Sequence, residues 1–220
     1  MIKAMIFDMD GTVLNTIDSI AHWANLALNK YDLPSIETET YKVLVGEGAR
    51  TLVERMIKTV GADEAKTDAV FAEYSSTYDA DFLYLTKPYD GVLEMMDALI
   101  GMDVKCAILT NKPQATAEKI SKELFGDRIS LLIGGRPGKP LKPDPSLVPE
   151  MLQTLGVTAK ECWYAGDTAT DMKTGTQAGL FTVGVLWGFR SREELEKNGA
   201  DLLVCEAHEI TEQIRLQNNG

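Results

Sequence analysis

The chain has 220 residues, 45% hydrophobic and 25% charged, which is enough for a substantial core as one large domain or as one domain carrying an insertion. Its 33 acidic residues against 22 basic ones leave a net charge of -11, and a field of that sign disfavours nucleic acid and anionic membranes as partners. Cys106, Cys162 and Cys205 lack metal-site spacing, and His22 and His208 stand too far apart in the chain for a histidine triad or a zinc site. No run reads as a signal peptide or a membrane span, so a cytoplasmic protein with reduced thiols is expected.

The opening run Ile2-Lys3-Ala4-Met5-Ile6-Phe7 reads as a buried strand that ends in Asp8-Met9-Asp10-Gly11-Thr12. Ligands of an open parallel α/β sheet sit beyond the carboxyl ends of its strands, which puts Asp8 and Asp10 at the rim where chemistry occurs. Taken alone, the spacing reads equally as an acidic turn after a core strand. The pattern then becomes helical. Asn15-Thr16-Ile17-Asp18-Ser19 offers capping residues, and Ile20, Trp23, Ala24, Ala27 and Leu28 recur at helical spacing. Further helical segments lie around 36–44, 50–60 and 64–84, with no strand between them, so residues 15–86 form an all-helical insertion.

Lys87-Pro88-Tyr89-Asp90-Gly91 marks a boundary, after which helix and strand alternate. Helices are expected over 93–100, 114–125, 147–155 and 172–178, and strands over 104–109, 131–133, 162–165, 181–185 and 201–204. Such alternation implies right-handed crossovers and a parallel sheet covered on both faces. The fold class is therefore α/β, a Rossmann-like parallel-sheet core of residues 1–14 and 87–220 interrupted by the helical insertion. Residues 217–220 carry no pattern and read as a frayed end. Gly134-Gly135-Arg136-Pro137-Gly138-Lys139 is not a P-loop, because its spacing is wrong and Pro140 stands where Ser or Thr should bind the metal.

Four motifs in order carry a family resemblance: Asp8-Met9-Asp10-Gly11-Thr12-Val13-Leu14, Leu109-Thr110-Asn111, Lys142-Pro143-Asp144-Pro145, and Gly166-Asp167-Thr168-Ala169-Thr170-Asp171. Together they resemble the haloacid dehalogenase superfamily, most of whose members are phosphatases. The resemblance implies that Asp8 is a nucleophile forming an aspartyl phosphate and that Asp10 is the general acid and base. The second Asp marks phosphatases and mutases rather than carbon–halogen or carbon–phosphorus cleavage. Mg²⁺ would be held by Asp8, Asp167 and the backbone carbonyl of Asp10, with Asp171 reaching it through water. The Thr110 hydroxyl and the Asn111 backbone N–H would hydrogen-bond phosphoryl oxygens. Lys142 would supply the opposing cation, Pro143 and Pro145 stiffening its loop, with Lys139 as its rival.

On the same resemblance, the insertion matches a helical cap. Within it Val45-Gly46-Glu47-Gly48-Ala49-Arg50-Thr51 looks like the substrate loop of the phosphoglycolate phosphatase branch. Gly46 and Gly48 would let backbone approach a small ligand, and Arg50 would either pair with a substrate carboxylate or stand as a solvated helix-start residue. Trp187-Gly188-Phe189-Arg190 and Gly199-Ala200-Asp201 also match that branch, whereas Asn15 stands at the cap hinge where the branch often carries Asp. The implied partner is a small phosphorylated metabolite, acted on by a monomer or homodimer. A β-phosphoglucomutase-like isomerase and a pyrophosphatase share the same core residues and remain as alternatives.

Overall fold

The computed structural model describes all 220 residues. In chain order the elements are β1 (Ala4–Phe7), β2 (Leu14–Asn15), α1 (Ile17–Lys30), α2 (Thr38–Leu44), α3 (Ala49–Thr59), α4 (Thr67–Ala80), β3 (Lys87–Pro88), α5 (Val92–Ile100) and β4 (Lys105–Pro113). They continue with α6 (Gln114–Phe125), β5 (Ile129–Gly135), α7 (Val148–Leu155), β6 (Cys162–Gly166), α8 (Ala169–Gln177), β7 (Phe181–Val185), α9 (Arg192–Lys197), β8 (Leu202–Val204) and α10 (Ala207–Asn219).

Six strands form one parallel sheet in the order β5-β4-β1-β6-β7-β8. The opening strand lies near its middle, between β4 and β6, and all four of its residues are buried. Successive side chains point to opposite faces. Met5 and Phe7 join the larger apolar cluster, and Ala4 and Ile6 join the smaller one on the other face. A strand buried on both sides needs a continuous apolar run rather than an alternating one, and Ala4-Met5-Ile6-Phe7 has that character. The buried thiols lie in the same layer: Cys106 and Cys162 are each pushed up to about 12 by desolvation, while Cys205 is exposed.

Helices α1 to α4 follow β1 without an intervening strand of the main sheet. The two connections between this helical segment and the sheet are β2 and β3, which pair antiparallel with Leu14 opposite Pro88 and Asn15 opposite Lys87. Asn15 therefore sits in this two-stranded ribbon, which is too short for any residue pattern to announce. No helix of the protein is long and apolar enough to cross a membrane.

Three other features depart from the sequence reading. β4 runs four residues past its apolar core, through Thr110, Asn111, Lys112 and Pro113. α9 was not anticipated, being six residues long and almost wholly charged, with one buried residue, Leu195. The carboxyl terminus is not frayed from residue 217, since α10 continues to Asn219. It is anchored by Ala207, Ile210 and Ile214 on one buried face and by the Asn218 side chain, which exchanges hydrogen bonds with the backbone N–H and carbonyl of Ile2 at 2.5 and 3.0 Å.

Candidate active site

The carboxyl ends of β1, β4 and β6 converge on one group of buried polar residues. Asp8 follows β1 directly, and its N–H bonds the Ala165 carbonyl at 2.9 Å, so the sheet ladder still fixes its backbone. Gly11, at φ +87°, turns the chain back, and an added Cβ there would sit 2.2 Å from the Asp167 carboxylate. Asp167 stands just past β6. Its Oδ1 accepts from the Thr12 hydroxyl at 3.0 Å and its Oδ2 from the Phe189 N–H at 2.8 Å. Trp187 secures that second contact by donating its indole N–H to the Thr12 carbonyl at 2.9 Å.

Asp171 enters the same cluster because α8 starts earlier than its apolar pattern suggests. Thr168 is the N-cap in a reciprocal capping box with Asp171, whose Oδ2 accepts the Thr168 N–H at 3.1 Å and its hydroxyl at 2.6 Å. The other oxygen accepts from Lys142 Nζ at 2.7 Å and from the Tyr164 hydroxyl at 3.2 Å. Lys142 Nζ also lies 2.7 Å from Asp8 Oδ1, and Lys142 is buried whereas Lys139 is exposed. Asn111 braces this arrangement. Its side chain donates to the Gly46 and Lys142 carbonyls at 3.0 and 2.9 Å and accepts from the Lys142 N–H at 2.8 Å.

Charge does not balance here. Carboxylate oxygens of Asp8, Asp167 and Asp171 lie within 4.8 Å of one another, all three residues are buried, and Lys142 is the one ammonium among them. Desolvation raises the Asp8 carboxyl to about 7 even though Lys142 pulls it down, and it raises Asp167 well above the usual carboxylate range, with Asp171 and Asp8 adding repulsion. Lys142 is desolvated too, but the negative charges of Asp171 and Asp8 outweigh that and hold it firmly protonated. Three hard oxygen donors with surplus negative charge suit a divalent cation of the Mg²⁺ type. The Asp10 side chain stands outside this trio, so any share it has in a metal site is through its backbone carbonyl.

Asp8 and Asp10 open onto a cavity between the sheet rim and the helical segment. It is lined from the rim by Thr110, Asn111, Lys112 and Phe189, and from the helices by Gly46, Gly48, Leu52, Tyr74 and Tyr78, among others. Gly46 and Gly48 adopt φ +117° and +92°, and Gly48 is the N-cap of α3, whose first residue Ala49 also lines the cavity. The glycine loop is held to the rim by Asn111 and by Arg190, whose guanidinium donates to the Lys42 carbonyl and, at 3.0 Å, to that of Val45.

A family model described as haloacid dehalogenase-like hydrolase matches residues 5–185, which includes every motif residue named above up to β7. The chain belongs to that family. It is 33% identical over 207 residues to the phosphoglycolate phosphatase of Rhodospirillum rubrum, covering 91% of this chain and 86% of the relative. With the phosphoglycolate phosphatase of Chromobacterium violaceum it shares 30% over 223 residues, covering 100% and 98%. A solved structure of a Lactobacillus delbrueckii protein assigned as a phosphoglycolate phosphatase superposes with a TM-score of 0.90 at 28% identity, covering 96% of this chain and 98% of that one.

In this haloacid dehalogenase-like hydrolase one expected substrate contact is misplaced. Arg50 does not line the cavity. From the first turn of α3 its side chain points away, to Glu54 at 3.0 Å, Asp68 of α4 at 2.6 Å, and the Phe71 ring at 5.4 Å. It staples two helices on the outside because Glu54, one turn on, and Asp68 offer carboxylates there. Arg50→Ala is therefore expected to leave kcat/KM within about twofold of the parent and to change the melting temperature only slightly, since exposed pairs contribute little. Steady-state assay and calorimetry would check this.

The cation at the cavity is Lys112, which the motif reading passed over. It is buried, its Nζ lies 3.1 and 3.2 Å from the two Asp10 oxygens, and it donates to the Tyr78 hydroxyl at 2.8 Å. One signal was available: Lys112 is two residues beyond Thr110, so in an extended strand it shares that residue's side. Thr12 and Phe189 were also missed as functional supports, because their contacts with Asp167 join residues 155 and 22 positions apart.

Proposed function

We propose that this hydrolase is a Mg²⁺-dependent phosphatase of small phosphate monoesters of the phosphoglycolate kind, working through an aspartyl phosphate on Asp8. The observation that carries this is the pairing of Asp8, held against Lys142 beside an acidic trio, with Asp10 facing a cavity enclosed by the helical segment. The core is residues 1–14 and 87–220, and residues 15–86 act as a cap that closes over it, excluding water and shaping the substrate space.

Asp8 Oδ attacks phosphorus as the ester oxygen leaves, and Asp10 gives that oxygen its proton. Asp10 then takes a proton from water, which attacks the aspartyl phosphate, releases inorganic phosphate and regenerates the Asp8 carboxylate. Lys142 offsets the phosphoryl charge, and the Thr110 hydroxyl and Asn111 backbone N–H donate to phosphoryl oxygens. Asp8, Asp167 and the Asp10 carbonyl would hold Mg²⁺, and Asp171 would orient Lys142 beside it; such an ion would supply positive charge that favours ionised Asp8 and attracts the phosphate dianion.

The deciding experiment is Mg²⁺-dependent phosphate release from phosphoglycolate, pyrophosphate, hexose phosphates and N-acetylmuramic acid 6-phosphate, the last because a relative 28% identical to this chain is named for it. A preference for phosphoglycolate of at least about tenfold in kcat/KM, equivalent to ~1.4 kcal/mol, is expected. Hexose phosphate interconversion in place of phosphate release would replace this reading with a mutase, and no turnover of any ester in the presence of metal would overturn it.

A further inference from the structure

We propose that Lys112, positioned by Tyr78, is the residue that selects substrates carrying a second anionic group, binding a carboxylate one or two carbons beyond the ester oxygen. This inference rests on the phosphatase reading for where the phosphoryl end lies. Phosphorus sits at Asp8, so the leaving oxygen faces Asp10. The group attached to that oxygen extends past the Asp10 carboxylate, and the side chain touching that carboxylate is Lys112, at 3.1 Å.

Three observations favour an anion at that point. Lys112 is the only basic residue lining the cavity, because Lys142 is turned onto Asp8 and Asp171 below it and Arg50 faces outward. Its three N–H donors meet the Tyr78 hydroxyl and both Asp10 oxygens, so a ligand carboxylate can take over one of the two donors that Asp10 shares. Of the acids lining the cavity besides Asp8, Asp10 is already paired with Lys112, and Asp79 accepts from the Thr116 hydroxyl at 2.5 Å. The same cavity is also walled by Leu52, Tyr74 and Ala49, and Lys112 itself is buried, so a charge meeting it is less screened than in open water.

Tyr78 has a positioning role. It belongs to α4, in the helical segment, whereas Lys112 belongs to β4, in the sheet, so their hydrogen bond spans the two halves of the cavity. Selection by Lys112 therefore depends on how the helices sit over the rim. A substrate with a neutral tail leaves the Lys112–Asp10 pair intact and gains nothing from it. One with a carboxylate tail receives a charge-assisted hydrogen bond.

The test uses two matched probe pairs on the full-length protein with Mg²⁺. The first compares kcat/KM for phosphoglycolate and for ethyl phosphate, which differ in the tail carboxylate. The second compares Kd, by calorimetry, for the unreactive analogues 3-phosphonopropionate and propylphosphonate. In the parent protein both ratios are expected to favour the carboxylate by at least about tenfold. Lys112→Gln should bring both ratios close to one, mainly through KM in the kinetic case, and Lys112→Arg should restore part of them. Tyr78→Phe should reduce them by a smaller factor. Ratios unchanged in Lys112→Gln, in protein that still binds propylphosphonate, would overturn the inference while leaving the phosphatase reading intact. A calorimetric ratio that collapses in Lys112→Gln while the parent hydrolyses neither ester would keep the anion site and overturn the phosphatase reading. If Lys112→Gln does not fold, Tyr78→Phe and Lys112→Arg decide, and no change of ratio in both would count against the proposal.

Discussion

Asp8→Asn is expected to reduce kcat by at least about 10³-fold with every ester the parent turns over, because the amide removes the nucleophilic oxygen while keeping the shape of the side chain. The protein should still fold. Asp8 is one of three buried carboxylates facing one ammonium, so neutralising it relieves repulsion with Asp171 and Asp10 as it removes attraction to Lys142. Melting temperature in the absence of metal should therefore be equal to or above that of the parent. Single-turnover phosphate release and calorimetry on the same preparation would separate the two effects. Retained turnover would eliminate the aspartyl phosphate route, and loss of folding would show that Asp8 contributes more stability than its surroundings suggest.

Stability of the metal-free protein should fall between pH 5.5 and pH 8. Asp8 is raised from an ordinary 3.8 to about 7, and Asp167 is also raised, chiefly by desolvation. Between about pH 4 and 7 the folded state thus holds protons that the unfolded chain has released, so stability declines as pH rises through that window. Lys142, raised further, stays charged throughout. The carboxyls that are lowered, Asp97, Asp144, Glu161 and Glu193, are ionised in both states above pH 5.5 and contribute nothing to the slope. A decrease on the order of 5 °C in melting temperature is expected in chelator-treated protein, from a stability change of on the order of 2 kcal/mol. Adding Mg²⁺ should raise the melting temperature more at pH 8 than at pH 5.5, because protons compete for the same oxygens. Asp8→Asn should flatten the pH slope. A slope of opposite sign in the parent would show that the acidic trio is not desolvated as described.

Both expectations concern residues that could be picked out without coordinates. Asp8 and Asp10 end an apolar run, which puts them at the sheet rim, and the family resemblance of Gly166-Asp167-Thr168-Ala169-Thr170-Asp171 brings Asp167 and Asp171 to the same site. The long helices were legible from periodicity: α1 and α6 carry apolar stripes at helical spacing. α10 was not, since most of its residues are polar and its anchor is Asn218 meeting Ile2 across almost the whole chain.

Local pattern is sufficient wherever neighbours in sequence are also neighbours in space. It accounts for the alternating α/β order, the helical stretch after β1, and the acidic residues at the strand ends. Partner choice among charges is a different matter. Arg50 and Lys112 are both cations beside promising motifs, and only the packed chain separates them. α3 turns Arg50 outward to Glu54 and Asp68, while the extra length of β4 carries Lys112 inward to Asp10 and Tyr78. Three-dimensional packing had to decide this, because a long charged side chain goes to whichever opposite charges surround it, and Asp68 and Tyr78 come from a helix whose position the local pattern leaves open.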